Sequence, residues 1–348
     1  MSEKIIFKKD DEIFFWHYWE QLVIESKASI RYFPETLKSW YLISQDKSLY
    51  FADFSFVYLV NDQIKAGVFL PLEKKGNDIF GTIMDDYIDA PIFLDQSVEK
   101  NVFLKINELA KENQVKKIMF LVDPLVFQSH YNYLQKYHYL DTSILSYVID
   151  LTKDDLLAAC RRGHKSDIKN ILKNKDFNIF YIDKNNANYN IHEEYRLLHH
   201  KCSGRVTRPK QTFDLQFEKL KKGYAVLFGL NHQGKNVAFS YFDFFKEKAA
   251  YASAADDPDY NNLSLYHPLI FSAMEYLKKF GCRYLDVEPP CSPSAQYDYY
   301  PTQKELNIAL FKRGFGGFFV QNFRGIKYFD QKIFEQDTSN FMKQYEPH

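Results

Sequence analysis

Hydrophobic and polar positions along the chain predict an alternation of helices and strands from the first residues onward. Apolar residues at helical spacing, or alternating with polar ones, mark these elements in the first half: a helix over 11–24, a hairpin over 54–72, a strand pair within 79–94, a helix over 98–113, a strand over 116–123, a helix over about 125–137 and a strand over 144–151. The last of these strands is expected to close the first half.

The second half repeats much of this order. It is predicted to contain a basic helix over 154–175, a strand over 177–182, a helix over 190–202, a three-strand meander over 224–257, a helix from about 263 to 280, a strand over 283–288, a helix over 305–313 and a strand over 316–323. The order in both halves is similar to that of the GNAT N-acyltransferase fold. We therefore predict an α/β (α+β) chain of two tandem GNAT-like domains, 1–150 and 151–319, with mixed sheets flanked by helices.

Composition narrows the class of protein. The 348 residues include 45 basic and 45 acidic ones, so the net charge is zero, a large nucleic-acid surface is not implied, and no DNA partner is expected. The four cysteines are scattered without metal-site spacing, which predicts a reduced cytosolic protein without a metal. The N-terminus has no signal-peptide pattern, and no stretch approaches the roughly 18 apolar residues that span a bilayer. We expect a cytoplasmic protein without a transmembrane segment.

The stretch before the long helix bears on the choice of acyl donor. In acyl-CoA-dependent GNAT enzymes this stretch carries glycines, and the helix N-terminus binds the CoA pyrophosphate. Here "SAADDPDYNNLSLYHPLIF" has neither glycine, and Asp256, Asp257 and Asp259 would repel a pyrophosphate, so acyl-CoA is disfavoured. The helix is instead expected to serve packing, through a buried face made of Leu265, Leu269, Ala273, Met274 and Leu277.

Two clusters of cations are candidates for binding substrate. Arg161, Arg162 and Lys165 lie in the basic helix; a solvated surface helix and a landing surface for phosphates, tRNA or a nucleotide sugar explain them about equally well. Arg205 and Arg208 lie in the loop after the helix over 190–202, beyond the helix end whose dipole would explain cations. Two arginines in such a loop suit recognition of a phosphate or carboxylate, which we predict here.

Acidic groups stand at the carboxyl end of the predicted strand over 283–288. Alternation would point Asp286 and Glu288 to one face, at the edge of the sheet where α/β proteins bind ligands. Glu288 is a candidate general base for an acceptor amine, and Asp286 a candidate for orienting it; carboxylates without a catalytic role explain the pair at least as well. His267, near the start of the long helix, is a weaker candidate for substrate binding, because packed polar residues are common there.

The stretch "ELNIALFKRGFGGFF" (305–319) joins a predicted helix to a predicted strand through Gly314, Gly316 and Gly317. Glycines allow a tight turn with unusual dihedral angles. The helix dipole explains the sign of Lys312 and Arg313, yet the combination of a glycine turn with two cations also makes this stretch a candidate site.

Three stretches together resemble the FemABX family of peptidyl (aminoacyl) transferases, which are built from two GNAT-like domains: "DLLAACRRGHKSDIKNILKN", "YASAADDPDYNNLSLYHPLIFSAMEYLKKFGCRYLDVE" and "NIALFKRGFGGFF". The resemblance covers residues 150–325, and the first 150 only by element order. It implies that Lys312 is catalytic in the acceptor cleft, that Arg208 helps to hold the acceptor's phosphates, and that the tail over about 320–348 packs on the first domain. The long helical arm of the bridge-forming members is absent from this sequence.

The resemblance implies an N-acyltransferase that transfers an aminoacyl or other acyl group to an amine of a cell-envelope or surface-polysaccharide precursor. The acceptor would be a nucleotide- or lipid-linked sugar precursor, and the donor charged tRNA, as in the best-known members; no bound cofactor is expected. Two alternatives stay open: an acyl-CoA-dependent N-acyltransferase acting on an amino-sugar nucleotide, and a non-enzymatic binding module on the same scaffold.

Overall fold

The computed structural model of the chain describes residues 2–125, 131–260, 262–293 and 296–343. Its α-helices are α1 Glu12–Ser26, α2 Pro34–Asp46, α3 Glu99–Glu112, α4 Leu156–Ala159, α5 Arg162–Lys173, α6 Tyr189–Ser203, α7 Lys210–Lys222, α8 Tyr266–Lys279, α9 Gln303–Lys312 and α10 Gln331–Met342. Its β-strands are β1 Glu3–Phe7, β2 Tyr50–Asp53, β3 Phe56–Val60, β4 Gln63–Val68, β5 Pro71–Lys75, β6 Asp78–Gly81, β7 Ile88–Asp89, β8 Ile92–Phe93, β9 Val115–Leu121, β10 Leu140–Asp141, β11 Ile144–Asp150, β12 Phe177–Ile182, β13 Ala225–His232, β14 Lys235–Phe245, β15 Lys248–Asp256, β16 Tyr284–Asp286, β17 Phe318–Asn322 and β18 Arg324–Tyr328.

The chain forms two compact units, each with sheets of its own. Unit 1 comprises residues 1–144, 295–300 and 321–348, and unit 2 comprises residues 145–294 and 301–320. Strand β11, which we predicted to close the first half, pairs with β16 and therefore contributes almost all of its residues to the sheet of unit 2.

Unit 1 contains two sheets. One is antiparallel, in the order β1-β3-β4-β8, and the other is mixed, in the order β10-β18-β9-β6-β5-β2 with β7 also beside β9. The predicted strand pair within 79–94 is wrong: β6 and β7 do not pair with each other but lie one after the other along β9, both parallel to it. Residues 133–137 of the helix predicted over about 125–137 form a 3₁₀ turn, and residues 126–130 lie outside the described residues.

Unit 2 is a single mixed sheet in the order β12-β13-β14-β15-β16-β11-β17 with helices on both faces. Successive residues of β13 face opposite sides of the sheet and therefore pack against different helices. Val226 and Phe228 pack in a core with α5 and α8, while Ala225 and Leu227 pack in a second core with α6 and α7. The predicted meander is confirmed as the antiparallel strands β13, β14 and β15, and β16 then runs parallel to β15.

Helix α8 crosses one face of this sheet and has the predicted buried face. The five residues assigned to that face are all at most 2% exposed: Leu265, Leu269, Ala273, Met274 and Leu277. The helix stops just before Gly281, whose φ of 90° is the left-handed conformation expected of a glycine there.

Two details of unit 2 differ from the prediction. Helix α7 was not predicted, although Phe213, Phe217 and Leu220 have helical spacing and are buried. The basic helix predicted over 154–175 is divided into α4 and α5, because Cys160 and Arg161 adopt extended backbone angles between them.

Candidate functional site

One strand of unit 2 has an open edge in the middle of the sheet. Strand β15 pairs with β14 along most of its length, but with β16 only through Lys248–Ala250. Within the described part of the chain, no strand lies on the β16 side of Tyr251–Asp256, which we call the open edge of β15. The register with β14 shifts at Ala252, an exposed residue, which marks a β-bulge. A bulged edge inside a sheet is a place where a ligand can reach backbone groups.

The glycine turn between α9 and β17 is a close-packed joint. A Cβ atom on Gly314 would lie 2.1 Å from Nε2 of His164, and one on Gly317 would lie 2.2 Å from the carbonyl oxygen of Val148. Gly316 has a φ of 80°, a conformation that disfavours other residues. The three glycines are therefore explained by packing against α5 and β11 and by backbone conformation.

Lys312 lies in the last turn of α9, directly before this joint, and is only 7% exposed. Its Nζ donates hydrogen bonds of 2.7 Å to the carbonyl oxygen of Glu288 and 3.2 Å to that of Pro289. It also lies 5.9 Å from the ring centre of Tyr251, the first residue of the open edge of β15. Burial lowers the pKa of Lys312, although the nearby Cys291, Glu288 and Asp286 act in the opposite direction.

Helix α9 starts with a capping box, which fixes the end opposite to Lys312. The Thr302 hydroxyl accepts from the backbone N–H of Glu305, and the Glu305 carboxylate accepts from that of Thr302. Both ends of the helix are thus anchored, and the Lys312 side chain is held by the chain that follows β16.

Asp286 and Glu288 have different settings, because β16 ends at Asp286. Asp286 is 2% exposed, and its Oδ1 accepts from the backbone N–H of Glu288 at 3.0 Å. Glu288 is half-buried and has a φ of 56°, an unfavourable conformation for a residue with a side chain. The predicted strand alternation therefore does not reach Glu288, and Asp286 holds the strained backbone from which Glu288 and its carbonyl project.

Arg208 lies two residues before α7 and is linked to β15 through Tyr195. Its guanidinium lies 4.0 Å from the ring centre of Phe213 and donates to Gln216 Oε1 at 3.1 Å and to the Tyr195 hydroxyl at 3.4 Å. Tyr195 in turn donates to Ser253 Oγ at 2.7 Å, and Ser253 belongs to the open edge of β15. Arg205 is exposed in the segment before it.

Part of the basic helix contacts the glycine turn. The backbone N–H of Arg161 donates to the carbonyl oxygen of Gly314 at 2.8 Å, and Lys165 Nζ donates to that of Ala158 at 2.9 Å. Arg161 and Arg162 are exposed. The side chain of Lys165 thus stabilises the end of α4, while the two arginines lie at the N-terminus of α5.

His267 lies in a cluster of rings beside the glycine turn. Its ring centre is 4.4 Å from that of His164 and 4.9 Å from that of Phe311, and its Nε2 lies 3.5 Å from Asp167. Burial, with His164 as the next cause, lowers the pKa of His267 to about 4. The imidazole is therefore neutral at pH 7 and packs between the start of α8 and the end of α9.

The loop between β15 and α8 is filled with acidic groups that are held by lysines. Asp257 is fully buried and accepts hydrogen bonds from Lys201 at 2.5 Å and from Lys235 at 2.6 Å. Burial acts to raise the pKa of Asp257, but these two hydrogen bonds outweigh it and hold the pKa well below its usual range. Asp259 binds Lys201 as well, at 2.9 Å.

The structure brings Lys312, Glu288 and Asp286 together at the end of β16, with Arg208 reaching the neighbouring strand through Tyr195. Sequence reasoning missed Tyr195, Tyr251 and the residues of α7 that fix Arg208. Only the spacing of apolar residues in α7 could have signalled that helix. Arg162 and Arg205 lie exposed away from these contacts, and the roles of all the predicted residues stay predictions.

Comparison with solved structures identifies the fold. FemX superposes with a TM-score of 0.65 at 12% identity, covering 97% of this chain and 99% of FemX. The chain has the FemX fold. The predicted fold class, two tandem GNAT-like domains, and the resemblance to the FemABX family at the level of fold are both confirmed.

Two further structures share the FemX fold with this chain. The C-terminal domain of an Agrobacterium fabrum protein assigned as a lysylphosphatidylglycerol synthetase has a TM-score of 0.59 at 11% identity, with 93% of this chain and 95% of that chain covered. L-PGS from Bacillus licheniformis has a TM-score of 0.58 at 11% identity, with 89% and 96% covered. No protein-family model matches the sequence, and no curated protein matches it.

Two properties of the described residues concern membranes and metal ions. None of the helices in these residues is long and apolar enough to cross a membrane. The same part of the chain has no group of three or more His, Cys, Asp or Glu side chains arranged to hold a metal ion.

Proposed function

We propose that this protein is an N-acyltransferase that transfers an aminoacyl or other acyl group to an amine of a cell-envelope or surface-polysaccharide precursor. The observation that carries the proposal is the position of the Lys312 ammonium, which is buried, bound to the carbonyls of Glu288 and Pro289, and next to the open edge of β15. A lysine ammonium has three N–H donors. Two are used by these carbonyls, and the third is proposed to face the reacting group.

The fold supports transferase chemistry of this class. FemX and the lysylphosphatidylglycerol synthetase domain share it over nearly the whole chain, and the second name describes the joining of a lysyl group to a phospholipid. We infer an aminoacyl group as the transferred unit here, with charged tRNA as its source. The exposed arginines at the start of α5, Arg161 and Arg162, are proposed to meet the phosphates of that donor.

The loop into α8 argues against acyl-CoA as the donor. A pyrophosphate at the helix N-terminus would come close to the carboxylates of Asp257 and Asp259, and the lysines nearby, Lys201 and Lys235, are already engaged in ion pairs with them. The side chains of 261–266 also replace the glycines that allow close backbone approach. A donor without a pyrophosphate at this position is therefore favoured.

The acceptor is proposed to carry phosphate, because Arg208 is linked to the open edge of β15 through the Tyr195 hydroxyl. Its guanidinium is stacked on Phe213 and fixed by Gln216, so it is oriented before any ligand arrives. A preoriented guanidinium suits bidentate binding of a phosphate oxygen pair. A nucleotide- or lipid-linked sugar precursor with a primary amine has the required chemistry.

The proposed reaction is a direct transfer without an acyl-enzyme. The acceptor nitrogen forms a bond to the acyl carbon, the ester C–O bond to the donor breaks, and the proton lost by the amine passes to Glu288 or to the leaving oxygen. Lys312 would stabilise the negative charge on the carbonyl oxygen as it develops. The strained backbone at Glu288 would keep this carboxylate and the carbonyl that binds Lys312 in place.

A thermal-shift panel tests the proposal with the full-length protein. The ligands are a UDP-linked amino sugar, UDP-muramyl peptide, charged tRNA and acetyl-CoA, and each is tested on the wild type, Arg208→Ala and Lys304→Ala. Lys304 is an exposed lysine of the first turn of α9 and controls for loss of a positive charge.

We expect stabilisation by a nucleotide-linked acceptor that disappears in Arg208→Ala and persists in Lys304→Ala. A shift with acetyl-CoA alone would contradict the donor argument and favour an acyl-CoA-dependent N-acyltransferase. No shift with either amine-bearing precursor would favour a binding module without this activity.

A further inference from the structure

A cavity in unit 1 is separate from the candidate site in unit 2. It has a volume of about 610 Å³ and lies between the C-terminal turn of α3, the start of β9 and the segment that joins β18 to α10. Cavities of several hundred Å³ are large enough to hold a small ligand. Its polar lining includes Asn107, Lys111, Gln114, Lys116, Lys327 and Asp330.

The charges of the cavity are unbalanced. The only carboxylate in the lining of the cavity is that of Asp330, and it is paired with Lys116 at 2.6 Å. Within the described ranges, neither Lys111 nor Lys327 has a carboxylate at ion-pair distance. Burial, and then the like charge of Lys111, lowers the pKa of Lys327. Two ammonium groups that repel each other across a cavity favour an anion between them.

Lys327 is held in position without charge compensation. Its Nζ donates to the carbonyl oxygen of Tyr137 at 2.7 Å and lies 5.6 Å and 5.7 Å from the ring centres of Tyr139 and Phe329. Such contacts orient the ammonium but do not neutralise it. The dipole of α3 explains a lysine at position 111, in the last turn of that helix, but not Lys327, which comes from β18.

Part of the cavity lining is apolar. Ala110, Val115 and Phe329 supply it. A ligand that carries a phosphate on a small organic group would therefore contact both the lysines and this apolar part.

We propose that this cavity is a binding site for a phosphorylated small molecule, with the phosphate between Lys111 and Lys327 and the rest of the ligand against the apolar lining. The site is independent of the proposed transfer reaction, because all its residues belong to unit 1 and none is a candidate residue of unit 2.

Isothermal titration of the full-length protein tests this site, with glucose 1-phosphate, inorganic phosphate and glucose as probes. The variants are Lys111→Gln and Lys327→Gln, with Lys100→Gln as the matched control. Lys100 is exposed near the start of α3, outside the cavity lining. Arg208→Ala reports any phosphate bound at the candidate site of unit 2.

We expect glucose 1-phosphate to bind, glucose not to bind, and Lys111→Gln and Lys327→Gln each to weaken binding at least tenfold. Inorganic phosphate should bind and lose affinity in the same two variants, and Lys100→Gln should bind like the wild type. If Lys327→Gln does not fold, Lys111→Gln alone decides. Absence of binding, equal weakening by Lys100→Gln, or loss of binding in Arg208→Ala would overturn the proposal.

Discussion

Two connections between a strand and a helix of unit 2 differ in their glycine content and in the pairing of their charges. The loop from β15 into α8 contains no glycine and holds buried Asp257 between two lysines. The turn from α9 into β17 contains three glycines and is preceded by buried Lys312, which binds only backbone carbonyls in the described interactions. The carboxylates of the first connection are paired with lysines of α6 and β14. In the second, no carboxylate of the described residues lies at ion-pair distance from Lys312.

From this difference we infer different roles for the two connections. Glycines near a helix end suggest a phosphate loop, yet those of the turn are explained by contacts with His164 and Val148. An acidic loop suggests an exposed surface, yet Asp257 is buried and stabilises the entry to α8. Residue type alone therefore does not distinguish a structural joint from a functional site, whereas burial and hydrogen-bond partners do.

The largest expected effect is that of Lys312→Ala on turnover. Loss of a donor that stabilises a developing oxyanion lowers turnover by about 10²–10³-fold. Asp259→Asn, in the loop, should change turnover by less than about threefold, because that carboxylate only shares Lys201 with Asp257. Steady-state kinetics with the acceptor found in the thermal-shift panel measures both variants.

Circular dichroism of Lys312→Ala serves as the control for folding. A folded variant with wild-type turnover would remove Lys312 from the mechanism and leave the turn as a joint alone.

Gly314→Ala should reduce the free energy of unfolding by about 1–3 kcal/mol, because the new Cβ atom would overlap the His164 ring. Gly163→Ala is the matched control, since a Cβ atom at Gly163 in α5 meets no atom within 4 Å and alanine favours a helix by up to about 1 kcal/mol. Urea denaturation measures the difference, and equal stability of the two variants would show that the turn tolerates a side chain.

Asp257→Asn tests the loop and should lower stability by about 1 kcal/mol at pH 7, since both lysine partners are substantially exposed. The pKa of Asp257 is lower in the folded state than its ordinary value of 3.8. Its contribution is therefore present above pH 3.8 and is lost as the pH falls further. Thermal unfolding between pH 7 and pH 2.5 compares the variant with the wild type.

The difference in stability between the variant and the wild type should shrink steadily as the pH falls from 3.8 to 2.5. A constant difference at every pH would mean that the charge of Asp257 is not the stabilising feature.

The smallest effect expected concerns His267, which packs between the start of α8 and the end of α9. Its pKa of about 4 in the folded state lies below the ordinary 6.5, so the unfolded state binds a proton first as the pH falls. Stability from this group is full above pH 6.5 and is lost towards pH 4, with a fall of under about 1 kcal/mol between pH 7 and pH 6. Thermal unfolding of His267→Gln should depend less on pH than that of the wild type.

His17→Gln, at an exposed position of α1, is the control for this prediction. If the stability of the two variants depends on pH in the same way, burial in the ring cluster does not lower the pKa of His267.

Periodic patterns predicted the parts of unit 2 that depend on burial alone. The buried face of α8 and the three strands of the meander follow directly from apolar spacing. The glycine turn was predicted as a joint because glycine conformational freedom is a local property. The FemX fold itself was predicted from the resemblance of three stretches.

The rest depends on contacts that no local pattern encodes. The open edge of β15 exists because β16 is short, and the left-handed backbone at Glu288 depends on a hydrogen bond to Asp286. Strands β6 and β7 look like a hairpin in sequence but both lie along β9, which is distant in the chain. Such pairings are set by tertiary structure and could not be predicted from spacing.

A transfer assay tests the central claim most directly. Charged tRNA carrying labelled amino acids and a nucleotide-linked precursor with a primary amine are incubated with the wild type, Lys312→Ala and Lys304→Ala, and the product is identified by mass spectrometry. We predict an amide-linked aminoacyl product with the wild type and Lys304→Ala, a loss of at least about 100-fold with Lys312→Ala, and no product when acetyl-CoA replaces the tRNA. A product from acetyl-CoA but from none of the charged tRNAs, or a product that Lys312→Ala forms at the wild-type rate, would contradict the account.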